Sequence, residues 1–73
     1  MDEKIRIEKD IVMFKDNLSL LKQKNLSNSQ EKTSQLASQY FEDSKYYFEK
    51  KDYFTAFGCI NYAHGLLDSI IKF

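Results

Sequence analysis

The sequence predicts an all-α domain, specifically a three-helix up-and-down bundle. Three observations carry that expectation. Proline is absent and glycine occurs twice in 73 residues, so helix breakers are few. Apolar residues recur at steps of three and four along most of the chain. Two short polar stretches, near residues 25–28 and 51–52, hold the residue types that cap helices. The length suits one domain, residues 1–73.

Helix one is expected over residues 3–24. Asp2 suits the N-cap, and acidic residues in the first turn suit the helix dipole. Ile7, Ile11, Phe14, Leu18 and Leu21 fall on one stripe. Lys22 and Lys24 place positive charge at the other end, where the dipole favours it.

Helix two is expected over residues 29–50. Ser27 with Gln30, or Asn28 with Glu31, forms a capping box that opens it. Its inward stripe reads Thr33, Leu36, Ala37, Tyr40, Ser44, Tyr47 and Phe48. Lys50 and Lys51 close it, and Asp52 caps helix three, expected over residues 53–72. The inner arc of helix three reads Tyr53, Ala56, Phe57, Ile60, Ala63, His64, Leu67 and Ile71. So short a turn makes helices two and three antiparallel neighbours, with helix one completing the bundle.

Composition narrows the function. Eleven basic and eleven acidic side chains give a formal net charge of zero. Arg6 is the sole arginine, and the adjacent pair Lys50-Lys51 is followed at once by Asp52. A nucleic-acid binder needs a basic face for phosphate contacts, so none is expected. The aromatic run from Tyr40 to Phe57 falls at core spacing and reads as packing, not base stacking. One His and one Cys do not make a zinc site, and no cofactor is expected. No apolar run spans a bilayer, the N-terminus is acidic, and the lone Cys59 suits a reducing compartment. The expected setting is cytoplasmic, without membrane contact.

His64 and Asp68 stand four apart, so the carboxylate could orient the imidazole as a general base. Catalysis also needs a nucleophile, and Cys59 lies about 140° away around the helix. The stronger reading is a histidine at the edge of the core, hydrogen-bonded within the fold. A second stripe on helix three carries Gly58, Asn61, Gly65, Asp68 and Lys72, with His64 beside it. Two glycines inside a helix call for a reason. Either a neighbour approaches closely, or a shallow groove exposes backbone to a ligand.

Apolar residues are also in surplus. Cys59, Tyr62, Leu66 and Phe73 point away from Ile60 on helix three. Ile5, Val12, Met13 and Leu20 point away from Phe14 on helix one. Such a surplus is absorbed by a wide internal arc or marks an interface. Ile5, Val12, Tyr62 and Leu66 are the candidate interaction face.

The segment from Tyr46 to Asp68 carries the pattern Asp52-Tyr53, Ala56-Phe57 and Tyr62-Ala63-His64-Gly65-Leu66-Leu67-Asp68. It resembles an archaeal family known as domain of unknown function 357. That resemblance implies a compact three-helix bundle and no particular activity. Neighbouring nucleotidyltransferase-type domains among relatives imply an accessory role. A looser likeness to helical toxin ribonucleases lacks their Arg-to-His spacing, since Arg6 is far from His64. The expected function is a non-enzymatic protein-interaction or self-association module. The alternative is a small-molecule or nucleotide-binding accessory domain using the Gly58–Asp68 face.

Overall fold

In the computed structural model, which describes residues 2–71, three helices follow one another. These are α1 (Glu3–Leu21), α2 (Asn28–Glu49) and α3 (Tyr53–Ile71). The caps explain the starts. The Asp2 side chain accepts from the Lys4 N–H at 3.0 Å. Ser27 and Gln30 form the reciprocal box: the Gln30 N–H donates to Ser27 Oγ at 3.2 Å, and the Ser27 N–H to Gln30 Oε1 at 2.9 Å. The Asp52 carboxylate accepts from the Thr55 N–H at 3.2 Å and opens α3.

The ends differ slightly from expectation. α1 stops at Leu21, and Lys22 to Lys24 form a tight turn in which Gln23 and Lys24 donate to Leu20 and Leu21 carbonyls. The Ser27 box then starts α2 one residue early, while Leu26 packs against the core. α2 gives way at Lys50 to a Schellman turn. The Asp52 N–H donates to the Tyr47 carbonyl and the Lys51 N–H to the Phe48 carbonyl, at 2.9 and 3.0 Å. That geometry needs a left-handed residue, and Lys51 supplies it at φ 65°. Lys72 and Phe73, assigned above to helix three and its outer surface, lie outside the described residues.

The topology is up-down-up, and α3 is its middle layer. α2 and α3 pack antiparallel along their length, with Tyr40 against Tyr62 at 4.5 Å and Phe48 against Tyr53 at 5.5 Å between ring centres. α1 runs parallel to α3: Arg6 sits over the Phe57 ring at 5.0 Å, and further along Asp10 meets His64. α1 and α2 touch least, chiefly where Phe14 stacks on Phe41 at 4.7 Å. The core is Ile7, Phe14 and Leu21 from α1, Ala37 and Phe41 from α2, and Ala56, Ile60, Ala63, Leu67 and Ile70 from α3.

Five positions correct the expected stripes. Phe41 is buried and Leu36 exposed on α2; Ile70 is buried and Ile71 exposed on α3. Leu66, expected on the outer face, packs against the core instead. On α3 two neighbouring helices make the apolar arc wider than one stripe, and on α2 Phe41 turns inward to stack on Phe14 of α1.

Lys51 forgoes stability, because a left-handed conformation costs a residue with a Cβ about 1–2 kcal/mol relative to its ordinary wells. Lys51→Gly is expected to raise unfolding free energy by about 0.5–1 kcal/mol. Urea denaturation should show this as a higher midpoint at unchanged slope.

Candidate interaction face

The candidate chemistry on α3 resolves first. His64 is half-buried, and its Nε2–H donates to the Asp10 carbonyl of α1 at 2.9 Å. The edge of the imidazole also meets the Phe14 ring, with centroids 5.5 Å apart. The ring is thus a strut between two helices, as expected of a histidine at the edge of the core and hydrogen-bonded within the fold. Asp68 is half-buried nearby on the chain. Cys59 is half-buried too. Its thiol is pushed above the ordinary range by burial first, then by the negative charges of Asp43 and Asp52, which makes it a poor nucleophile. Among the described residues, no group of three or more His, Cys, Asp or Glu side chains is placed to hold a metal ion.

Gly58, Asn61 and Gly65 line the exposed edge of α3. A Cβ added at either glycine would meet nothing within 4 Å. Close approach of a neighbour therefore does not account for them. The helix simply presents bare backbone there, flanked by Phe54, whose side chain is 86% exposed. The sequence reading passed over Phe54 because it sits within a run of core aromatics.

The expected face of Ile5, Val12, Tyr62 and Leu66 divides. Leu66 is internal. Tyr62 is exposed on one side and packs on Tyr40 with the other, so it belongs to the α2–α3 seam. Ile5 and Val12 remain, joined by Met13 and Leu20, at 46, 58, 51 and 60% exposure respectively. At about 100° per residue these four fall within an arc of about 100°, roughly 150° around α1 from Ile7, Phe14 and Leu21. Ile5, Val12 and Met13 line a shallow depression together with Lys9 and Asp16, which lie within the same arc, and with Glu8 at its edge. Val12 also reaches over a second groove between α1 and α2, lined by Glu8, Ile11, Lys45, Phe48 and Glu49. At the far end Leu20 shares a cleft with Ile71. Exposed large apolar residues also occur on α2 (Leu36, Tyr46) and α3 (Phe54, Tyr62, Ile71), but on α1 four of them share one arc. Lys9 and Asp16, which share that face, were not singled out by the sequence reading, although their spacing from Val12 places them there.

Two outcomes follow. Gly58→Ala and Gly65→Ala should each stabilise the fold by about 0.5–1 kcal/mol, since added Cβ atoms meet open space and helix propensity improves. His64→Ala should cost about 1–3 kcal/mol through the lost Asp10 bond and Phe14 contact. Denaturant midpoints of the three single variants check both.

Among the described residues, no helix is long and apolar enough to cross a membrane. No curated protein matches the chain. Residues 9–73 match the family described as "Protein of unknown function (DUF357)". That span takes in most of α1 with all of α2 and α3, and the chain belongs to this family.

Proposed function

We propose that this chain is a non-enzymatic protein-interaction module whose contact surface is the outer face of α1. The observation that carries the reading is the alignment of Ile5, Val12, Met13 and Leu20, all about half-exposed, on one side of a helix whose other side is fixed in the core. Scattered exposed apolar residues are ordinary, whereas apolar residues sharing one arc of a helix, here with Lys9 and Asp16 between them, suit a docking surface. The engagement of His64 with a structural bond and the raised thiol of Cys59 support the absence of catalysis from this reading. An archaeal, cytoplasmic setting and a lack of nucleic-acid contact belong to the same proposal. The second reading, a small-molecule or nucleotide-binding accessory domain, is favoured only by the open backbone of Gly58 and Gly65.

The test is affinity capture from native-source lysate with wild type and a Val12→Asp, Leu20→Asp variant matched in helicity and melting temperature. The expected result is a bound polypeptide, a further copy or a different protein, retained by wild type and lost by the variant. Identical capture by both would overturn the reading.

A further inference from the structure

The outer face of α1 is complementary to itself. Consider two copies of α1 laid antiparallel, with a two-fold axis passing between Val12 and Met13. Position i of one copy then lies level with position 25 − i of the other. Ile5 lies level with Leu20 and Lys9 with Asp16, each pair occurring twice by symmetry, while Val12 and Met13 flank the axis, each beside its own copy in the partner. All six side chains lie on the exposed arc, so this one register matches apolar to apolar and positive to negative throughout. A parallel arrangement in register instead sets Lys9 against Lys9 and Asp16 against Asp16. Among the described residues, neither Lys9 nor Asp16 has an ion-pair partner in its own chain. Both are exposed and available.

We infer that α1 is the interface of a two-fold symmetric homodimer, with antiparallel α1 helices joined across the axis by Ile5–Leu20 and Lys9–Asp16 contacts and by Val12 and Met13 each packed on its own copy. This rests on the interaction reading above and names the partner as a second copy. The size of the contact sets its strength. Ile5 to Leu20 spans about 22 Å of helix at about 1.5 Å per residue. A strip of that length and about one helix wide buries under about 1,000 Å² in total, which places it in the weak, transient class. The dissociation constant expected is on the order of 100 µM. The apolar contacts supply most of the affinity, and the two ion pairs fix the orientation.

Sedimentation equilibrium from about 10 µM to 1 mM tests the dimer. The mass of wild type should climb from 8.7 kDa toward twice that value. Val12→Asp should hold it at the monomer. Lys9→Glu and Asp16→Lys, each placing like charges across the axis, should each weaken association about tenfold. The double swap should restore it to within about threefold, which separates lost pairing from lost folding. Orientation is read by disulfide trapping in a Cys59→Ser background. A mixture of Ile5→Cys and Leu20→Cys chains should cross-link to each other, and Ile5→Cys chains alone should not. Failure of the double swap to restore association, or trapping of Ile5→Cys with itself, would overturn the antiparallel register. A monomer at 1 mM would overturn the homodimer. If capture through α1 still retained a different protein, the interaction reading would survive that result; if capture were also unchanged by the α1 variant, both would fail.

Discussion

All three helices meet at the ring of Phe14. It is fully buried, stacks on Phe41 of α2 at 4.7 Å, and receives the edge of His64 from α3 at 5.5 Å. Aromatic pairs of these geometries contribute beyond the area they bury. Position along the helix is fixed beside it, where the His64 Nε2–H reaches the Asp10 carbonyl one turn earlier on α1. One residue thus sets the rotation of α1 about its axis, and the next contact sets its translation. Once both are set, the direction faced by every other side chain of α1 follows from helical geometry. Ile7 and Leu21 turn inward with Phe14, and Val12 and Leu20 turn to solvent.

The helices do not share the core equally. α3 packs along both neighbours, whereas α1 and α2 scarcely meet beyond the Phe14–Phe41 stack and the groove beside Val12. Small residues make the central position tolerable. Ala56 and Ala63 on α3 and Ala37 on α2 are fully buried, and they leave room for the larger rings packed alongside. The same asymmetry accounts for the surplus apolar side chains. On α3 Leu66, expected on the outer face, is half-buried and packs against the core. α1 has one principal neighbour, and the residues on its far side are left uncovered.

Much of this was legible in the sequence, and the parts that were not share a reason. Capping chemistry is local, so Asp2, the Ser27–Gln30 box and Asp52 could be read directly, as could the α1 stripe through Ile7, Phe14 and Leu21. On α2 Phe41 is buried and the expected Leu36 is not, and on α3 Ile70 is buried in place of Ile71, because a wheel drawn on an isolated helix gives no weight to a second neighbour. The role of His64 was half-visible. A bond within the fold was the favoured reading, yet the partner is a backbone carbonyl 54 residues away, which no i, i+4 pattern can reveal. The glycines were legible only as a question, because the space around a residue is a property of tertiary structure.

Local sequence preference and the fold disagree at two sets of positions, and the two disagreements differ in kind. At Lys51, Gly58 and Gly65 the chain forgoes backbone stability without any neighbour demanding it. A substitution there changes the free energy of this chain alone, so these positions need no partner to exist. At Ile5, Val12, Met13 and Leu20 the helix propensity and the caps are sound, and the departure lies in solvation. Apolar side chains sharing one arc face water on a helix that the core already holds in place. No rearrangement within the chain relieves that exposure, because rotating α1 to bury Val12 would expose Phe14 and break the His64 bond to Asp10. Exposure that the fold cannot remove internally is removed only by another surface. In the proposed dimer, Lys9 and Asp16, set among the apolar side chains, give that surface a sign at each position, and the sequence of α1 read backwards supplies the match.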